Sequence, residues 1–159
     1  RDMGAAMSPF NAFMFIQGME TLHLRMKEHS ANGQKVAEHL SKHSMVERVA
    51  YPGTSSGLPK ERADKYLSNG CGGLLGFEIK GGHEAGKKFI NSLEMLYHVA
   101  NIGDSRSLAI HPASTTHSQL NEEELASGGI SSGYIRLSIG LEHIDDILAD
   151  IDQALAKAE

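Results

Sequence analysis

The segment NIGDSRSLAIHPASTTH occupies residues 101–117, and YIRLSIGLE follows it at residues 134–142. In the second segment the apolar Ile135 and Leu137 flank Arg136, and this alternation predicts a β-strand whose arginine points away from the face of its neighbours. The planar guanidinium of Arg136 matches the two oxygens of a carboxylate, and Asn101 and Thr116 offer an amide and a hydroxyl group beside it. The pattern indicates half of an amino-acid-binding site, with no group nearby that could perform covalent chemistry.

The rest of the chain alternates between helical and strand patterns. Ser8 and Pro9 form a good helix start, and apolar residues at steps of three or four then predict a long helical stretch to Leu40, with a break near Gly18 or Gly33. Further helices are predicted at 61–67, at 84–92 and from Ile144 onward, and strands at 46–51, 74–79, 95–100, 108–110 and 134–138.

Several of the connections are too short for parallel crossovers, so the sheet should be short and mostly antiparallel. The predicted fold is α/β of the α+β type, with helices covering one face of the sheet and the other face available for binding.

Composition excludes several functional classes. The chain has 159 residues, 40% of them hydrophobic, which suits one soluble globular core. A net charge of -5 gives no basic surface for nucleic acid. With a single cysteine, Cys71, there is no sign of an oxidising compartment, and no apolar run is long enough to span a membrane. We therefore expect a cytoplasmic location.

The two segments at 101–117 and 134–142 resemble the C-terminal part of the pyridoxal-phosphate (PLP) enzymes of cysteine and methionine metabolism, in which a run like SLxIHPASTTH precedes RLSIGLE. The form Asn-Ile-Gly-Asp at residues 101–104 looks like the O-acetylhomoserine sulfhydrylase branch of that family. Near the start, residues 8–13 and 17–22 are similar to the segment that follows the cofactor-bearing region. The resemblance implies the small C-terminal domain of the aspartate-aminotransferase-like, fold type I PLP enzymes.

This resemblance also implies roles for the candidate residues. Arg136 would bind the substrate's α-carboxylate, while Asn101 and Thr116 would refine its pose; relatives often have serine where Asn101 stands. The family's PLP-bearing lysine follows a Ser-x-Thr motif, which none of the nine lysines here does, so we expect no catalytic residue and no bound PLP in this chain alone. Residues 1–43 would link a preceding PLP domain to a small domain at 44–159, and a start at Arg1 suggests part of a longer protein.

For the whole enzyme the resemblance implies a homotetramer that replaces the acetoxy group of O-acetyl-L-homoserine by sulfide or a thiol. A cystathionine synthase or lyase of the same family is an alternative. So are a non-catalytic amino-acid-binding module and a purely structural interaction domain.

The residues alone leave plainer interpretations open. Arg136 could form a structural salt bridge, Asn101 could be a turn residue, and Thr116 could cap a helix beginning near Gln119.

Other polar residues are weaker candidates for a site. His111 and His117 lack a third ligand with zinc-like spacing, so structural histidines are expected. His39 and His43 suit a solvated helix face. Residues 70–73, which contain Cys71 between glycines, predict a tight turn rather than a phosphate loop or a nucleophile.

Overall fold

A computed structural model describes residues 3–159, apart from the side chain of Glu122. The first two residues of the predicted 1–43 linker lie outside the described residues. The α-helices are α1 (Pro9–Glu20), α2 (Leu22–Leu40), α3 (Gly57–Tyr66), α4 (Gly82–Ser92), α5 (Glu122–Ser127) and α6 (Ile144–Ala158). The strands are β1 (Val46–Ala50), β2 (Leu74–Ile79), β3 (Tyr97–His98), β4 (Leu108–Ile110) and β5 (Tyr134–Ser138).

The strands form one sheet in the order β1-β2-β5-β4-β3. Every neighbouring pair is antiparallel except β3 with β4. This arrangement confirms the predicted α/β fold with a short, mostly antiparallel sheet. Because β5 lies in the middle, between β2 and β4, its side chains stand at the centre of both faces.

The two faces of the sheet have different surroundings. On one face Phe77, Ile135 and Leu137 are fully buried in a single hydrophobic core with residues of α2, α4 and α6. We call the opposite face the open face. It carries Arg136 and Ser138 of β5 and also Gly76 of β2, which is paired with Arg136 across the two strands. Burial of one face and polarity of the other follow from the two-residue period of a strand.

The second half of α2 belongs to this core. Val36, Ala37 and Leu40 are completely buried, and the side chains of His29 and Asn32 bond to the backbone beyond β5. These residues lie within the predicted 1–43 linker, so the last turns of that segment pack as part of the sheet's helical cover. The division at residue 43 stays a prediction.

Helix α1 has a different character. Ser8 caps it through a 3.2 Å bond from the Asn11 amide, as predicted from the Ser-Pro start. No residue of α1 is buried, although it carries large apolar side chains, namely Phe10, Phe13, Met14, Phe15, Ile16 and Met19. Helices that are apolar on all sides are typical of the interior of a larger protein.

The long helix breaks at Thr21, close to Gly18, which is one of the two predicted break positions. Other elements differ from the sequence prediction, among them α5, which was not predicted. The strand predicted at 95–100 is reduced to Tyr97–His98, because the amides of residues 94–96 bond to the Asp150 carboxylate instead of to a strand. Helix α3 begins at Gly57, four residues before its predicted start.

Candidate functional site

Arg136 stands half-buried on the open face at the centre of the sheet. Its Nη2 donates a 3.3 Å hydrogen bond to the backbone carbonyl of Asn101. Among the described residues no acidic side chain lies within 4.0 Å of its guanidinium, so the described part of the chain gives no support to a structural salt bridge. A guanidinium has five N–H donors, and the one bond to Asn101 leaves most of them available to a ligand.

The open face of β5 continues beyond the strand as a row of four residues, Arg136, Ser138, Gly140 and Glu142, which we call the β5 row. Each faces part of the loop at 101–107. The Ser138 hydroxyl accepts from the Gly103 amide at 3.0 Å. The Glu142 carboxylate accepts from the Ser107 amide at 2.7 Å and from its hydroxyl at 2.9 Å.

At Gly140 in the β5 row, the loop comes so close that there is no space for a side chain. A Cβ atom built there would lie 2.5 Å from the Ser105 carbonyl oxygen and from the carbonyl carbon of Arg106, and 2.4 Å from a Glu142 oxygen. The Gly140 amide donates to the Ser107 hydroxyl at 2.9 Å, and the Leu141 amide donates to Ser105 O at 2.9 Å. The loop therefore lies in backbone contact with the strand extension.

Helix α2 holds the same extension from the other side. His29 Nδ1 lies 2.6 Å from Ile139 O. Asn32 donates to Gly140 O at 3.2 Å and to Glu142 O at 3.1 Å. Both side chains are buried, so these bonds fix the end of β5 in the protein interior, where an unsatisfied carbonyl would be costly.

The structure brings two of the three predicted site residues together. Asn101 contacts Arg136 through its backbone carbonyl, while its own side chain accepts from the Ile102 amide at 2.9 Å and shapes the turn. Thr116 is exposed, and its hydroxyl lies 2.8 Å from His117 Nδ1. Among the described residues no hydrogen bond joins Thr116 to Arg136 or Asn101. Thr116 does not cap a helix, because α5 begins at Glu122 and Asn121 caps it.

His111 is a structural histidine, as predicted. The residue is completely buried, and its Nε2 lies 2.7 Å from Ser132 O and its Nδ1 2.9 Å from the Ser114 hydroxyl. Burial is the main cause that lowers the pKa of the imidazole, although the bond to Ser132 opposes it. The ring ties the start of the 111–117 segment to the loop that leads into β5. Thr115 also bonds back to His111 O at 2.9 Å.

Near Arg136 the open face carries a tyrosine and an ion pair. The Tyr134 ring lies over Gly76, where a Cβ atom would be 2.0 Å from the tyrosine oxygen. Burial raises the pKa of Tyr134, and the charge of Arg136 opposes that rise. At the outer strand, Arg48 pairs with Glu78 at 2.6 Å. Arg48 and Arg136 thus lie on the same face. Arg48 has a carboxylate partner, Glu78, whereas no carboxylate among the described residues pairs with Arg136.

The remaining candidates are structural. The side chain of His39 is 32% exposed and bonds to Asp152 of α6 at 2.6 Å, so the predicted solvated helix face also carries a contact between two helices. Residues 70–73 form an irregular connection with positive φ at Gly70 and Gly72, and the tight turn predicted there lies just before it, closed by the bond from the Gly70 amide to Leu67 O at 3.2 Å. Within residues 3–159 no three His, Cys, Asp or Glu side chains are grouped to hold a metal ion. No helix in that range has the length and hydropathy to cross a bilayer.

A pocket of about 590 Å³ lies away from the β5 row, between the end of β1 and α3. A pocket of about 210 Å³ adjoins the row beside Gly103 and Ser138. Its lining is mostly apolar and includes Met26, Leu74 and Ile102. The lining of the larger pocket includes neither Arg136 nor any other residue of the β5 row.

Residues 1–156 match the sequence profile of the Cys/Met metabolism PLP-dependent enzymes. The chain belongs to this family. It is 56% identical to an O-acetyl-L-homoserine sulfhydrylase of Leptospira meyeri over 98% of its own length and 35% of that protein. It is 47% identical to an L-methionine gamma-lyase of Pseudomonas putida over 98% of its length and 39% of that protein.

A crystal structure described as an O-acetylhomoserine (thiol)-lyase from Campylobacter jejuni is also similar to this chain. The TM-score is 0.88 and the identity 46%, covering 98% of this chain and 37% of that one. That protein carries N'-pyridoxyl-lysine-5'-monophosphate at its position 205. The chain thus spans little more than a third of the length of these relatives.

The lysines of this PLP-family chain do not fit the role of the cofactor-bearing residue. All nine lie on helices or in connections, and all are exposed except Lys60, which is half-exposed. A lysine that forms a Schiff base is activated by a desolvated site or a neighbouring cation.

Sequence reasoning missed Ser138, Gly140 and Glu142. A signal for them was present, because the two-residue alternation that placed Arg136 on one face continues through RLSIGLE and puts all four polar or small residues on that face. Nothing in the sequence alone indicated that their partners would be residues 101–107.

Proposed function

We propose that this chain is the substrate-carboxylate-binding part of a PLP-dependent O-acetylhomoserine sulfhydrylase. The parent enzyme would replace the acetoxy group of O-acetyl-L-homoserine by sulfide or a thiol, giving homocysteine or methionine. The observation that carries the proposal is Arg136, held on the open face by one backbone carbonyl, with no carboxylate partner among the described residues. Similarity to O-acetylhomoserine sulfhydrylases of Leptospira meyeri and Thermus thermophilus supports the substrate.

The task of these residues is orientation. A two-point hydrogen bond from the Arg136 guanidinium to the α-carboxylate fixes both the position and the rotation of the amino acid. Holding the reacting carbon in one orientation lowers the entropic part of the barrier. Asn101 would set the geometry of the guanidinium through its carbonyl, and Thr116 would contribute a hydroxyl from the 111–117 segment. PLP in the parent would supply the electron sink.

The PLP-bearing lysine would then lie in a part of the parent protein that precedes this chain. The apolar surface of α1 supports a larger protein, because six large apolar side chains of one helix are left exposed. We further propose that the parent is a cytoplasmic homotetramer. Sequencing the reading frame upstream tests the domain arrangement: a Ser-x-Thr-Lys segment is expected there, and its absence would favour the non-catalytic amino-acid-binding module.

A γ-elimination on methionine is the second candidate, because L-methionine gamma-lyases are 47% identical to this chain. Such an enzyme needs the same carboxylate contact, so Arg136 does not separate the two reactions. Homocysteine formation from O-acetylhomoserine and sulfide, compared with methanethiol release from methionine, distinguishes them. A cystathionine synthase or lyase would instead use cysteine or cystathionine in the same assay.

Arg136→Ala in the full-length parent tests the carboxylate contact. Removing one partner of a desolvated charge pair costs about 2–4 kcal/mol, so KM for O-acetylhomoserine should rise roughly 30- to 1000-fold. Arg136→Lys should recover only part of this loss, because an ammonium cannot bind both oxygens in a plane. Arg48→Ala is the matched control, an arginine of the same face whose carboxylate partner is present. Unchanged KM and kcat in Arg136→Ala would refute the assignment.

A further inference from the structure

The loop that carries Asn101 is long and mostly exposed, so its position needs an explanation. Residues 101–106 are all exposed, and the strand before them, β3, has only two residues. A segment with so little burial and so few backbone ladder bonds is expected to be mobile unless other contacts hold it. The proposed carboxylate site nevertheless requires the Asn101 carbonyl to stay within reach of Arg136.

The contacts that hold the loop come from the β5 row at regular intervals. Asn101 meets Arg136, Gly103 meets Ser138, Ser105 meets Gly140, and Ser107 meets Glu142. The Leu141 amide also donates to Ser105 O at 2.9 Å, and the loop continues directly into β4, which is antiparallel to β5. The loop is therefore held by the side chains of the β5 row and by the backbone of the β5 extension.

The strongest of these contacts is the last one. Glu142 accepts two bonds from Ser107, at 2.7 and 2.9 Å, and hydrogen bonds to an ionised acceptor are stronger than neutral ones. Ser107 is completely buried, so its amide would lack an acceptor if Glu142 were removed. Asn32 in turn fixes the Glu142 backbone at 3.1 Å. A chain of bonds thus runs from the protein core through Glu142 to the base of the loop.

We infer that Glu142 and Ser138 are positioning residues, which hold the 101–107 loop in the position that places Asn101 against Arg136. Neither residue needs to touch the substrate. Glu142 fixes the end of the loop, and Ser138 fixes its middle at Gly103. This inference rests on the proposed carboxylate-binding role of Arg136 and adds the residues that set its geometry.

Kinetics of the PLP-loaded full-length parent separate positioning from general structural support. Glu142→Ala should raise KM for O-acetylhomoserine about 10- to 100-fold, as expected for a misplaced binding group, and leave kcat within about threefold. Ser138→Ala, which removes one neutral bond, should raise the same KM about 3- to 10-fold. KM for sulfide should not change in either variant. A merely structural role would lower the active fraction, and hence kcat, without changing either KM.

Two further variants act as controls. Glu142→Gln keeps the side-chain shape and one acceptor oxygen, so its KM should lie between the wild-type and Glu142→Ala values. Glu94→Ala removes an exposed carboxylate that pairs only with Lys157 and should leave both KM values unchanged.

Amide hydrogen exchange gives a readout that is independent of activity. Glu142→Ala should speed exchange at Ser107, and Ser138→Ala should speed exchange at Gly103. The Ile139 amide, which donates to Gly73 O at 2.8 Å, should stay protected and so report an intact sheet. If Glu142→Ala also speeds exchange at the Ile139 amide, the sheet itself has been disturbed. The inference is then decided by the KM and exchange of Ser138→Ala, which loses only a small neutral hydroxyl.

Arg136→Ala, measured alongside, separates the two proposals. A raised KM in Arg136→Ala together with unchanged KM in both Glu142→Ala and Ser138→Ala, despite faster loop exchange, would overturn the positioning roles and leave the carboxylate contact standing. An unchanged KM in Arg136→Ala would overturn the proposed function, and the positioning inference with it.

Discussion

Replacing Asp150 by alanine removes the acceptor of three consecutive backbone amides, and we expect it to be among the most destabilising single changes in the chain. Asp150 lies on α6 and is 6% exposed. Its carboxylate accepts from the amides of Glu94 at 2.8 Å, Met95 at 2.9 Å and Leu96 at 2.9 Å. These bonds turn the chain after α4 toward β3.

The size of the effect follows from burial of the donors. Bonds to a charged acceptor contribute about 1.5–3 kcal/mol each. Glu94 is exposed, so water can replace its lost bond, whereas Leu96 is buried and Met95 half-buried. Two uncompensated amides give a loss of about 3–6 kcal/mol in the free energy of unfolding. Asp150→Asn can keep the oxygen that accepts from Met95 and Leu96, so its loss should be about 1–2 kcal/mol.

Urea denaturation of the wild-type chain and both variants measures these values. Asp64→Ala is the control: its exposed pair with Lys60 within α3 should contribute less than about 0.5 kcal/mol. A loss below about 1 kcal/mol for Asp150→Ala would refute the reasoning, because it would mean that the three amides find other acceptors at little cost.

The pH dependence gives a second test of the same carboxylate. Burial alone would raise the pKa of Asp150, but the hydrogen bonds from residues 94–96 and from Gln153 outweigh burial and hold the pKa below its usual 3.8. A pKa lowered by folding adds stability above the unfolded value, and this stability is lost as pH falls through the folded value. The difference in stability between wild type and Asp150→Ala should therefore shrink as pH drops below about 4. A difference in stability that stays the same at all pH values would mean that folding does not lower the pKa of Asp150.

Two more predictions concern packing and a buried phenol. Gly86→Ala would place a Cβ atom 2.6 Å from His111 Nε2 and should lower the free energy of unfolding by about 1–3 kcal/mol. In Gly18→Ala the new Cβ atom meets nothing within 4 Å, so the free energy of unfolding should rise by about 0.5–1 kcal/mol. Equal effects of the two substitutions in urea denaturation would rule out the His111 contact. Burial raises the pKa of Tyr51 to about 12, so the stability that this phenol contributes should be complete below about pH 10 and decline as pH rises toward 12. Tyr51→Phe should lack that decline, and an identical alkaline loss in both proteins would exclude Tyr51 as its source.

Most of the fold could be predicted from local patterns. The bounds of β2, β4 and β5 were predicted without error. A two-residue alternation marks the strand of Arg136, whereas β4 is a short apolar run that is buried at every position. The start of α1 could also be predicted, because Ser8 accepts a hydrogen bond from an amide of the first turn and Pro9 fits the first helical position. Helix α5 was missed, although Asn121 and Glu124 form a capping box, because Thr116 was considered as the cap in its place.

The sequence by itself determined the type of every strand and of every helix except α5, the face on which Arg136 stands and the family of the chain. These properties depend on neighbours within a few residues or on a motif that can be matched letter by letter. Only the tertiary structure decided which segments meet. Asp150 reaches back across more than fifty residues to residues 94–96 and shortens β3, and the β5 row meets the 101–107 loop about 35 residues earlier. Such contacts arise when the sheet and its helices pack together, and no local periodicity records their partners.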